Sequence, residues 1–134
     1  MSMMLNKTFA VLGPSGIATT VDVSEDLHER LDRDFDGFRG HNLVACHSFD
    51  CDWPTWEIHP AGDEIVCLLS GEARLVLDHG DRFEEIALDE PLAFAIVPPG
   101  TWHTAKTRTG CTMLFITPGE GTENKDVKVD KGPR

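Results

Sequence analysis

Four side chains able to ligate a metal lie on two strand-like segments of this chain, each beside a turn. Glu57-x-His59 is followed by the turn Pro60-Ala61-Gly62-Asp63, then by Glu64 and, seven residues on, Gly71. Pro98-x-Gly100-x-x-His103 comes later, after enough chain for a hairpin. Residues two apart on a strand leave the same face, so Glu57 and His59 point together. Glu64 opens the next strand and turns back toward that face. His103 opens another strand after a Pro-Pro-Gly turn. If the two hairpins lie side by side, two imidazoles and two carboxylates converge. Such a set suits a divalent first-row ion (Fe, Mn, Zn, Ni or Cu) and leaves positions open for water or substrate.

The rest of the chain agrees with a β-barrel. Short strand patterns run over 17–23, 42–50, 53–59, 64–70, 72–78, 83–88, 93–97, 102–107 and 111–117. Turn signals separate them, at Pro60–Asp63, His79–Arg82 and Pro98–Gly100. Strands at this spacing predict an antiparallel sandwich or barrel. One helix is expected near the N-terminus, capped by Ser24 and carrying Leu27, Leu31 and Phe35.

The 134 residues make one domain, with the barrel core at about 40–118 and a polar tail over 119–134. Acids outnumber bases 23 to 12, a net charge of −11. That balance disfavours nucleic acid as a partner, because phosphate binding needs a basic face. It equally disfavours an anionic membrane surface. No apolar run approaches the length of a membrane span, and residues 1–8 lack a leader pattern. Cys46, Cys51, Cys67 and Cys111 form no CxxC pair and read as reduced cysteines of a cytoplasmic protein. The runs Ile65–Leu69, Leu92–Val97 and Met113–Ile116 are apolar without alternation, so both faces of those strands need cover. A terminal segment or a second subunit could supply it, and a homodimer is expected. The tail segment Asp126–Lys131 alternates weakly and reads as a frayed end or a strand added to a neighbour.

The two segments resemble the motifs of the cupin family. The first motif, G-x5-H-x-H-x3,4-E-x6-G, is matched by His59, Glu64 and Gly71; the second, G-x5-P-x-G-x2-H-x3-N, by Pro98, Gly100 and His103. Where the motifs carry their leading glycines this chain has Cys51 and Leu92, and Thr107 stands for the closing Asn. Glu57 replaces the first histidine. The resemblance implies an all-β, cupin-type double-stranded β-helix (a jelly-roll barrel of about six to eight strands) with one short N-terminal helix. It also implies that His59, Glu64 and His103 ligate metal, and Glu57 takes a ligand's place by position. Two carboxylates would neutralise a dication and favour harder ions such as Mn or Fe(II). A metal-free Glu57 would instead be a cavity carboxylate and a catalytic general base.

Strand parity places Trp53, Thr55, Val66, Leu68, Ala105 and Thr107 on the inward face, giving an apolar pocket for a small-molecule ligand. Trp56, Trp102 and Cys67 fall outside. His47 has no fixed facing, and His28, His41 and His79 read as surface or turn residues. Two functions fit the pattern. One is a metal-dependent enzyme, of oxygenase or isomerase/lyase type, on a small organic or sugar-like substrate. The other is a non-catalytic module that binds or senses a small ligand. The enzyme requires a proton-transfer group beyond the metal ligands; the binding module does not.

Overall fold

A computed structural model describes residues 1–128. Eight strands form two facing antiparallel sheets: β3 (Asn42–Phe49), β4 (Thr55–Ile58), β5 (Glu64–Gly71), β6 (Ala73–Asp78), β7 (Phe83–Leu88), β8 (Phe94–Val97), β9 (Trp102–Lys106) and β10 (Cys111–Thr117). The first sheet runs β3-β10-β5-β8 and the second β4-β9-β6-β7. Consecutive strands thus alternate between sheets in part, which is the jelly-roll arrangement.

Three strands extend this barrel from the chain ends. β1 (Thr8–Leu12) and β2 (Ala18–Asp22) add to the edge at β3, while β11 (Glu123–Asp126) adds to β4. The sheets therefore begin well before residue 40 and run past residue 118. Residues 8–12 were not expected as a strand, although Phe9 and Val11 alternate and are buried. Within the polar tail, Glu123–Asp126 pairs with this chain's own β4, with Asn124 opposite Glu57. Its side chains are all exposed, so backbone pairing rather than an apolar face makes this strand. Residues 129–131 of the alternating tail segment lie outside the described residues.

The helix α1 spans Leu27–Asp34 and buries Leu27 and Leu31. Ser24 is not its N-cap. Asp26 holds that position, and the Ser24 hydroxyl is turned onto the Asp26 carboxylate instead. A single 3₁₀ turn, Asp36–Phe38, follows, and Phe38 drops into the cluster formed by Phe9, Val11, Leu27, Leu31 and Ala45.

The main core fills one end of the barrel. Val66, Leu68, Leu75, Leu77, Leu88 and Met113 are at most 2% exposed. Each such side chain contributes about 1.5–3 kcal/mol by leaving water. Val66, Leu68 and Ala105 do face inward, as parity requires, but they pack solidly in this core and line no cavity. The open space lies further along the barrel, between β3, β10 and the α1 segment.

Candidate metal centre and cavity

Register brings the two motif segments together. Glu57 on β4 is directly opposite His103 on β9, and Leu77 flanks His103 on its other side. His59 follows the end of β4. The Gly100 amide, in the Pro-Pro-Gly turn, donates to the His59 carbonyl at 3.1 Å. One motif's turn is thus tied to the other motif's histidine. Glu64 starts β5 and faces the same point.

Ligand-capable atoms of Glu57, His59 and His103 lie within 4.8 Å of one another, so these residues form a group able to hold a metal ion. Glu64 reaches into the same group. Its Oε1 is 3.0 Å from His103 Nε2, and its Oε2 is 3.3 Å from His59 Nε2. Glu57 Oε2 lies 3.6 Å from His59 Nε2. His59, Glu64 and His103 are buried, whereas Glu57 is half-buried at the cavity edge.

The surrounding hydrogen bonds aim these groups. His103 Nδ1 donates to the Thr101 carbonyl at 3.0 Å, because a carbonyl only accepts. The Nε2 side of the ring therefore faces the Glu64 carboxylate. A proton on Nε2 or a metal ion between the two atoms would satisfy both. His59 Nδ1 is paired with the Thr122 hydroxyl at 2.8 Å, and the Thr117 hydroxyl donates to Glu64 Oε2 at 2.6 Å. His59 Nε2, Glu64 Oε1 and His103 Nε2 are buried and lack a hydrogen-bond partner. Outer partners that fix ring orientation and leave the inner nitrogens bare are a usual accompaniment of metal ligands.

Charge reports the same crowding. Burial pushes His59 toward the neutral form, but the adjacent Glu57 and Glu64 carboxylates overcome it and raise its pKa to about 9. Burial likewise disfavours the charged Glu64, and His103 and His59 override it, lowering its pKa to about 2.

Glu57, His59 and Glu64 line a cavity of about 920 Å³. Phe49, Trp53 and Phe115 give it an aromatic wall. Trp53 packs on Phe49 at 5.3 Å and on Phe115 at 5.9 Å between ring centroids, and lies 6.4 Å from His103. Of the inward set read from parity, Trp53 and Thr55 line this cavity. Sequence reasoning missed Phe49 and Phe115; both share the inward parity of their strands, a signal available had it been followed beyond the motifs. His47 does face the cavity, stacked edge-on to Phe9 at 5.2 Å and Phe115 at 5.7 Å. Burial lowers its pKa. His28, read as a surface residue, is exposed but borders the cavity mouth with Asp32 from α1. His41 packs on Phe35 and Phe38, and His79 contacts Glu84 at 2.8 Å, so neither takes part. Trp56 stacks on Phe83 and Trp102 lies under Lys125, both on the outer face of the second sheet.

Comparison with solved structures places this architecture. Oxalate oxidase matches at 20% identity and TM-score 0.50, over 60% of this chain and 44% of that one. The same enzyme with the substrate analogue glycolate matches at 18% identity and TM-score 0.51, over 61% and 45%. A cupin superfamily protein from Desulfitobacterium hafniense matches at 26% identity and TM-score 0.47, over 57% and 65%. The chain has the cupin fold. No family profile matches this sequence. Among curated proteins, TDP-4-oxo-6-deoxy-alpha-D-glucose-3,4-oxoisomerase of Aneurinibacillus thermoaerophilus is 30% identical over 59 residues. Those residues are 43% of this chain and 42% of the isomerase, so the chain aligns with less than half of that relative.

Proposed function

We propose that this cupin is a metal-dependent enzyme of oxygenase or isomerase/lyase type, acting on a small organic or sugar-like substrate in the cavity. One observation carries the metal: the buried, unpartnered Nε2 atoms of His59 and His103 face the two oxygens of the buried Glu64 carboxylate at 3.3 and 3.0 Å. These three residues and Glu57 would hold a divalent ion such as Fe, Mn, Zn, Ni or Cu. When bound, the ion supplies Lewis acidity toward a substrate oxygen.

The chain's own residues account for the rest. Thr101, Thr117 and Thr122 hold the ligand side chains in place. Phe49, Trp53 and Phe115 exclude water from their side of the cavity and orient an apolar part of the substrate. His47 favours the enzyme over a passive binding module, because it supplies the proton-transfer group beyond the ligands. Desolvation among the surrounding rings lowers its pKa and favours the neutral imidazole. The partial likeness to a sugar oxoisomerase, whose name implies moving hydrogen between neighbouring carbons, supports the isomerase branch.

The deciding experiment is metal analysis of protein purified without chelator or affinity metal, with Glu57→Ala, His59→Ala and His103→Ala beside it. Near one equivalent in the wild type, reduced in each variant, is the expected result. No metal after reconstitution would refute the metal centre.

The outer face of the first sheet supports assembly as a homodimer. Phe94 and Ile96 on β8 are 60% and 52% exposed there, beside Leu69 at 37%. The free state of all four cysteines supports a reducing, cytoplasmic setting. Among the described residues no helix is long and apolar enough to cross a membrane.

A further inference from the structure

Apart from the His59 imidazole, which is engaged by Glu57 and Glu64, the charged residues lining the cavity are of one sign. Asp32 from α1 and Asp50 and Asp52 from the β3–β4 loop stand at its mouth, and Glu57 and Glu64 lie within. Among the described residues no lysine or arginine lines it. Arg39, near the rim beside Asp32 and Gly37, is already engaged by Asp36 at 2.6 Å. A dication held by Glu57 and Glu64 would be neutralised by them, so it would leave the mouth acidic.

That census fits poorly with a carboxylate or phosphate ligand, which needs a cationic or amide cradle. It fits a cation. Aromatic faces attract an ammonium through their quadrupole, most strongly when the pair is out of water. Trp53, Phe49 and Phe115 offer such faces in the same cavity as the acids.

We propose that the cavity takes a small ligand bearing an ammonium group on an apolar or aromatic body, and discriminates against carboxylates and phosphates. The aromatic wall receives the apolar body, and the acids at the mouth receive the charge. This rests on the cavity being a ligand pocket, as proposed above, but not on which ion is bound.

Three probes with the same ring and arm separate the charge states: phenethylamine, 2-phenylethanol and 3-phenylpropionate. Each is titrated by tryptophan fluorescence into metal-loaded and into chelator-treated protein. The amine should bind about tenfold more tightly than the carboxylate in both forms, with the alcohol between them. Asp32→Asn combined with Asp50→Asn, on exposed positions away from the metal group, should shrink that ratio to about threefold. Equal or tighter carboxylate binding overturns the charge preference and leaves the pocket standing. No binding by any probe overturns both. Metal content, measured on the same samples, reports on the metal centre separately.

Discussion

Glu64 Oε1 sits 3.0 Å from His103 Nε2, while the Thr117 hydroxyl holds the other carboxylate oxygen at 2.6 Å. Glu64 is thereby fixed in the one rotation that aims Oε1 at the His103 Nε2 atom. Loss of the Thr117 hydroxyl should let the carboxylate turn. Thr117→Val keeps the side-chain shape and is expected to weaken metal affinity by roughly 10–100-fold. A chelator competition titration measures it. Unchanged affinity would mean that Glu64 is not a ligand, or that packing alone orients it.

Protons and metal compete at this cluster. In the metal-free protein the pKa of His59 is raised from 6.5 to about 9, and that of Glu64 is lowered from 4.5 to about 2. The raised His59 contributes stability that is complete below pH 6.5 and fades as pH climbs through 9. The lowered Glu64 contributes stability that is complete above pH 4.5 and fades toward pH 2. Chelator-treated protein should thus resist urea best between those limits and weaken toward alkaline pH. Metal binding should run the other way, tightening as pH rises, because His59 must shed a proton to become a ligand. Urea midpoints that climb from about pH 6 to about pH 9 without metal would contradict the coupling.

The exposed face of β8 makes a separate claim. Wild-type protein at micromolar concentration is expected to sediment as a dimer. Replacing Phe94 and Ile96 by aspartate and lysine should yield a folded monomer, since both side chains already face water in the single chain. A wild-type monomer would remove the homodimer altogether.

Much of this was legible in the sequence because its signals are local. Two-residue periodicity and turn chemistry located the nine strand patterns from residue 17 to residue 117, and the ligand-capable residues stood beside turns. What escaped depends on tertiary placement. Thr8–Leu12 is too short and too near the end to stand out, and it becomes a strand by pairing with β2 and β3. Glu123–Asp126 has no apolar face and becomes one only because β4 offers an open edge. Parity told which side chains point inward but not where along the barrel the core stops and the cavity starts. Val66 and Trp53 share a facing, yet one packs in the core and the other lines the open space.

Gly71 is a case where a motif position has a geometric reason. Its φ is +79°, and a Cβ there would drive into the Gly110 carbonyl, which is backbone and cannot yield. Gly71→Ala should destabilise the protein by about 3 kcal/mol or more, through steric overlap added to the left-handed backbone. Urea denaturation measures it, and a loss under about 1 kcal/mol would show that the β5–β10 junction relaxes easily.

Leu92 presents the opposite situation. It occupies the position of the second motif's leading glycine, and its φ is +77°. The turn has kept the backbone of a glycine while carrying a leucine. Its amide donates to the Leu68 carbonyl at 2.7 Å, which ties the residue into that conformation. The side chain is 74% exposed, so removing it forfeits little burial within the chain. A left-handed residue with a Cβ costs about 1–2 kcal/mol, against which the added chain entropy of glycine counts about 0.5–1 kcal/mol. Leu92→Gly should therefore stabilise the fold by up to about 1 kcal/mol, while Leu92→Ala, which keeps the Cβ, should not. If alanine stabilises as much as glycine, the gain comes from removing an exposed apolar side chain and the backbone explanation fails.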